Sequence, residues 1–166
     1  MRRFVIFLGA GLALLILQTT LLAAPSGGWW RPDLVLVMVG YLGLYWGSLR
    51  GVLLTFLLGY AMDLLSGSMF GLHIFTRLVD FGAAYLIGQR FYRYSAVYDL
   101  KLCMVLALLD GVVTALFIQA AGAGTPAVEV AALLLIPQVL LAGIFCPPVF
   151  VLLQRAERVL RRPVPA

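Results

Sequence analysis

Residues 100–121 read LKLCMVLALLDGVVTALFIQAA. One lysine stands at the start of this run and one aspartate, Asp110, near its middle. A helix of about 20 apolar residues covers the roughly 30 Å of a bilayer's hydrocarbon, so this stretch is a predicted membrane span. The rest of the chain repeats the theme. Of 166 residues, 63% belong to the hydrophobic set and 11% are charged, where soluble domains carry about 25% charged residues. A soluble core does not hide that much apolar surface, so the bilayer is the solvent expected for most of the chain.

Outward from that run, apolar segments predict helices near 4–24, 33–47, 51–66, 73–89, 100–121 and 129–153. The expected fold is an all-α integral membrane domain of six transmembrane helices over 1–153, followed by a basic cytoplasmic tail, 154–166, of which Gln154 to Arg162 is expected to extend the last helix. The second and third helices are short for a span; they are expected to thin the bilayer locally or to form a hairpin shielded by neighbours. Glycine and proline mark the joins, as in Pro25-Ser26-Gly27-Gly28, Gly47-Ser48, Ser66-Gly67-Ser68 and Gly122 to Pro126. Trp29, Trp30, Trp46 and Tyr98 fall where amphipathic rings meet headgroups.

The basic residues test the count. With the N-terminus inside, Arg2, Arg3, Arg50, Arg90, Arg93, Lys101, Arg155, Arg158, Arg161 and Arg162 all fall on the cytoplasmic side. Adding or removing one helix breaks that pattern downstream, so six spans with both termini cytoplasmic are expected. Arg31 falls outside and Arg77 within a span. The high pI therefore reflects orientation and contact with anionic membrane lipids rather than nucleic acid. Arg2 and Arg3, the following apolar run, Ala23 and Ala24 imitate a signal peptide. The full-span length of the run and Pro25 directly after the possible cleavage site favour an uncleaved first helix.

Charges at hydrocarbon depth are the first candidates for function. Asp63 lies near the outer end of the third helix and Asp110 near the middle of the fifth. Arg77 and Asp80, three apart on the fourth, share a face and are expected to pair. Such a pair most often locks helices together; the sharper reading is a polar seat for a partner helix or ligand. Val79-Asp80-Phe81 resembles a fragment of a lipoprotein signal peptidase motif, but those enzymes also rely on asparagines, and this chain has none. His73 near Ser66 and Ser68 lacks the elbow signature of a serine hydrolase, and no phosphate-binding loop or dinucleotide fingerprint is present. Neither a metal site nor a cofactor is expected. Cys103 and Cys146 read as small buried residues. Gly40, Gly43, Gly47, Gly51, Gly59, Gly67 and Gly71 allow close helix approach, either within the bundle or in a groove for another transmembrane helix. Pro137, Pro147 and Pro148 are expected to kink or interrupt the sixth helix.

The most individual stretch lies in the first half: Pro32-Asp33-Leu34, then Tyr41-Leu42-Gly43-Leu44-Tyr45-Trp46-Gly47, Gly51, Gly59-Tyr60-Ala61-Met62-Asp63-Leu64-Leu65-Ser66-Gly67 and Phe70-Gly71-Leu72. This resembles the bacterial rod shape-determining MreD family, in which a Pro-led second helix precedes a Gly-x-x-x-Asp segment and a Gly turn. Over residues 32 to 72 the resemblance rests on motifs; beyond them it rests mainly on hydropathy, length and the basic tail.

The resemblance implies a non-enzymatic scaffold in the bacterial inner membrane, within the elongation machinery. It implies association with an MreC-like single-span coiled-coil protein. Through that pair it connects to the actin-like filament protein and to the peptidoglycan polymerase and transpeptidase. Pro32, Asp33, Gly59, Asp63, Gly67 and Gly71 are the candidate partner-binding or structural motif. The family's fold is also similar to the substrate-binding subunit of energy-coupling-factor vitamin transporters, which supplies the alternative: a small-molecule binding subunit. A vitamin binder needs a polar pocket open to the outside and long outer loops, whereas a scaffold needs grooves at lipid depth. Short outer loops favour the scaffold.

Overall fold

The computed structural model describes residues 2–20, 32–66, 70–90, 96–120 and 125–161, with side chains described to the same extent except at 96, 125–134, 160 and 161. These residues form six α-helices: α1 Arg2–Thr20, α2 Leu34–Tyr45, α3 Leu49–Ser66, α4 Leu72–Arg90, α5 Ala96–Ala120 and α6 Thr125–Arg161. Trp29, Trp30, Arg31, Gly67, Ser68, Arg93 and Arg162 lie outside the described residues, as do Pro25 and the possible cleavage site before it. Consecutive helices reverse direction, so α2, α4 and α6 begin at one end of the bundle, called distal here, and α1, α3 and α5 begin at the other, proximal end.

Among the described residues, four helices are long and apolar enough to cross a membrane: Arg2–Thr20, Leu49–Ser66, Val97–Ala120 and Leu135–Val159. Their outward faces carry large apolar side chains in the open, among them Val5, Ile16, Leu53, Leu116 and Ile144. Apolar exposure on that scale marks lipid contact rather than contact with water. The other two helices depart from that pattern for different reasons. At 19 residues α4 has the length, about 28 Å at 1.5 Å per residue, but it holds Arg77, Asp80 and Arg90. At 12 residues α2 reaches only about 18 Å, and every residue from Leu34 to Leu44 is buried. A helix that is apolar on all sides belongs in the middle of a bundle, and α2 packs against all five other helices.

The sixth helix is continuous. Pro137, Pro147 and Pro148 do not interrupt it, and it runs from Thr125 to Arg161, through the stretch from Gln154 onward that is expected to extend it. An interior proline forfeits one backbone hydrogen bond and crowds the preceding turn. Here the helix is held from outside by α5, its most extensive partner, and by α2. Cys103 and Cys146, both fully buried, meet across the α5–α6 seam with sulfurs 2.7 Å apart. At the proximal end Tyr41 stacks edge-on against Phe150, their centroids 5.4 Å apart. The Tyr41 hydroxyl donates to Glu157 at 2.7 Å, so the one polar atom on this buried ring is satisfied.

Glycine sets how closely α2 and α4 approach. A Cβ placed on Gly43 would lie 2.6 Å from the Ala84 Cβ and 2.8 Å from the Phe81 carbonyl oxygen. Neither the helix backbone nor an alanine methyl can give way, so Gly43→Ala is expected to cost about 1–3 kcal/mol through overpacking. Gly9→Ala, on a part of α1 where nothing lies within 4 Å, is expected to leave stability unchanged or slightly raised. Melting midpoints of the two variants in mild detergent make the comparison.

Candidate functional site

The buried charged residues of the bundle collect toward its distal half in two groups. The first begins with the start of α2. The leading N–H groups of a helix have no partner within it, and in a membrane they find no water either. Asp33, the N-cap, accepts from Leu36 N–H through Oδ1 at 2.9 Å. Gln18, near the end of α1, accepts from Leu34 N–H at 2.9 Å and from Val35 N–H at 3.3 Å. Pro32, buried just before the cap, has no N–H to satisfy.

The second oxygen of Asp33 faces α4, where Arg77 Nη2 donates to it at 2.6 Å. Arg77 is only 2% exposed. Its Nη1 lies 3.3 Å from Asp80 Oδ2, one turn along the same helix. Its Nη2 also lies 3.3 Å from Asp110 Oδ1 on α5. The other oxygen of Asp110 accepts from Gln138 Nε2 of α6 at 3.4 Å. One guanidinium therefore ties α2, α4 and α5 together, with α6 joined through an amide. Such a planar fork of five donors suits several carboxylates at once in a way that a lysine does not.

The second group closes the turn between α3 and α4. Asp63, buried near the end of α3, accepts from Gly71 N–H at 3.0 Å, His73 N–H at 2.9 Å and Ile74 N–H at 3.3 Å. Its Oδ1 also lies 2.9 Å from His73 Nδ1. A side chain from the preceding helix thus caps the start of α4. The turn needs Gly71, whose φ of +96° is the left-handed region that side chains avoid. It also needs Gly59, where a Cβ would meet Ile74 Cα at 2.8 Å and the His73 carbonyl oxygen at 3.0 Å.

Of the residues singled out in the sequence, Asp33, Arg77, Asp80 and Asp110 form one cluster, and Gly59, Asp63 and Gly71 form the other; Gly67 lies outside the described residues. Sequence reasoning missed Gln18 and Gln138, and it placed Asp33 in the candidate partner-binding or structural motif rather than with Arg77. The available signal was an amide inside each of two apolar runs, where an unsatisfied polar group is costly. Two cavities adjoin the first cluster, sharing Asp33, His73 and Gln138 as walls. The larger, about 500 Å³, is bordered by Gln18, Thr19 and Ser66; the smaller, about 240 Å³, by Arg77, Asp110 and Thr114. Nothing in either group positively marks a catalytic centre: the charged side chains bind one another or the backbone.

Lipid-facing apolar helices around a buried ionic cluster define a multi-pass membrane protein. The profile of the rod shape-determining protein MreD family matches residues 1–156, and the chain belongs to that family. The match extends well beyond the motif-bearing stretch 32–72, over all but the last ten residues. No curated protein and no solved structure matches the chain.

Proposed function

We propose that the chain is a non-enzymatic scaffold of the cell-elongation machinery, lying in the bacterial inner membrane with six spans and both termini in the cytoplasm. It binds an MreC-like single-span coiled-coil protein by packing of transmembrane helices. Through that partner it supports the peptidoglycan polymerase and transpeptidase and the actin-like filament protein. The observation that carries this reading is the family match over residues 1–156. The bundle is consistent with it, because its ionic groups serve helix-to-helix fixation and its outer faces are apolar and broad. Close packing and a few polar contacts drive helix association in lipid. Orientation follows from the ten basic residues on the side assigned to the cytoplasm.

A second reading is a substrate-binding subunit of an energy-coupling-factor type transporter. The adjoining polar cavities at the distal end favour it. Affinity purification from native membranes in mild detergent, followed by mass spectrometry, separates the two. Recovery of a single-span coiled-coil protein at near-equal amount is the expected result. Recovery of transporter ATPases with their membrane coupling subunit would replace the scaffold by the transport reading.

A further inference from the structure

Between the end of α4 and the start of α5 lies a groove of about 250 Å³, bordered by Ile87, Tyr98, Lys101, Leu102 and Val105. Four of these come from α5 at helical spacing, so they share one face of it. Because α5 starts at the proximal end, Tyr98 and Lys101 stand nearest the headgroups, and Val105 lies about 10 Å deeper than Tyr98. Leu102 is buried and forms the floor, whereas Val105 is half exposed, within the apolar span Val97–Ala120. The Tyr98 hydroxyl donates to the Ile87 carbonyl at 3.4 Å, one of the last four carbonyls of α4, which have no partner within the helix. Lys101 is exposed, as is Arg90, one turn beyond Ile87 in the last turn of α4. Among the described residues no carboxylate lies within ion-pair distance of either cation. Asp99 stands on the α6 side of α5, where its carbonyl accepts from Cys146.

We propose that this groove seats an acyl chain of an anionic glycerophospholipid from the proximal leaflet, with the headgroup phosphate on Lys101 and Arg90. The order of the groove is that of a phospholipid: cations and a phenol at the mouth, then leucine, isoleucine and valine toward the bilayer centre. Size decides between a lipid chain and a partner helix. One helical turn with its side chains is a cylinder about 10 Å across and 5.4 Å tall, roughly 400 Å³, which exceeds the groove. An acyl chain is thinner and fits along it. Charge decides the headgroup. Two cations without carboxylate partners complement a phosphate that carries net charge, and a zwitterionic headgroup would bring a third cation to the same place. A soluble polar ligand has nothing to bond below Lys101, because the Tyr98 hydroxyl is already engaged. The site is separate from the Arg77 cluster and holds whichever membrane face the proximal end occupies.

The test is thermal unfolding of the purified, delipidated full chain in mild detergent, titrated with dioleoyl phosphatidylglycerol or with dioleoyl phosphatidylcholine. The expected result is a rise of several degrees with phosphatidylglycerol beyond that with phosphatidylcholine. Lys101→Gln is expected to weaken the apparent affinity for phosphatidylglycerol about fivefold, the worth of one basic residue beside anionic headgroups. Val105→Phe fills the groove from a half-exposed position and leaves both cations in place. It is expected to weaken the same response at least fivefold, with little change in melting without lipid. Arg3→Gln is the control for unspecific attraction. It is an exposed proximal residue on α1, which packs against α2 and α3, and it is expected to respond like the wild type. Equal responses to the two lipids, or a wild-type response in both Lys101→Gln and Val105→Phe, overturn the site. So does an equal loss in Arg3→Gln, which would make the effect one of net charge. If Val105→Phe keeps the lipid response but loses a co-purifying protein or changes the oligomeric state on size exclusion, the groove belongs to a helix and the lipid seat is overturned.

Discussion

Arg77→Met is expected to destabilise the bundle by about 3–5 kcal/mol, the cost of stripping the partner from a buried ion pair. Methionine fills much of the space, so the loss isolates charge from packing. Asp33, Asp80 and Asp110 would then sit together in a low-dielectric interior with no cation. Asp80→Asn, which leaves Arg77 two carboxylates, is expected to cost far less. Arg77→Lys is expected to fall between them, because an ammonium carries the charge but cannot reach three carboxylates from one plane. Melting in mild detergent, read by fluorescence-detected size exclusion, ranks the three. The double change Arg77→Ala with Asp80→Ala is a sharper test than the sequence implied. An isolated pair would make the double variant more stable than either single one. In the observed cluster, Asp33 and Asp110 remain uncompensated, so the double variant should stay nearly as unstable as Arg77→Ala. Full rescue by the second change would show that the two outer carboxylates matter little.

What the sequence reveals about this cluster follows from helix periodicity. Arg77 and Asp80 are one turn apart, and a spacing of three puts them on one face whatever the fold. Asp33 is 44 positions from Arg77, and only the placement of α2 against α4 brings them together. No local pattern carries that information. The same limit applies to Gly59, whose requirement for glycine comes from the backbone of Ile74. The helices themselves were readable because membrane spans are long, apolar and punctuated. The burial of α2 follows from its being apolar on every face, and its shortness from the Gly47-Ser48 break. Of the two outcomes expected for the prolines of α6, interruption does not occur, because proline's local cost says nothing about the neighbours that absorb it.

The two polar groups divide the work by depth. Asp63 and its turn fix the hairpin of α3 and α4 locally, within a dozen residues of chain. The Arg77 cluster then fixes that hairpin against α2 and α5. A scaffold gains from this arrangement, because a partner helix packing on the outer faces meets a surface whose helices cannot slide independently. Polar bonds in lipid contribute modestly one by one, so such rigidity has to come from several of them sharing one centre.

Asp63→Leu is the second substitution with a large expected effect, and the sequence and the structure read it differently. From the sequence, Asp63 belongs to a partner-binding or structural motif that shapes a turn and groove, and its loss should spare insertion while weakening partner recovery. In the bundle its carboxylate is buried and accepts from three backbone N–H groups and faces the His73 ring. Leucine would leave those N–H groups without an acceptor, at about 1–3 kcal/mol for each that stays buried. Thermal stability and partner recovery should therefore fall together. His73→Ala removes the ring contact but keeps the three backbone bonds, so it should cost about 1 kcal/mol or less. Asp63→Asn keeps one acceptor oxygen and should fall between them. Measuring melting and partner recovery on the same three preparations separates the roles. If recovery tracks melting across the series, Asp63 acts through the α3–α4 turn. If Asp63→Leu melts like the wild type yet loses its partner, the carboxylate is itself part of the contact, and the turn rearranges when the partner is bound.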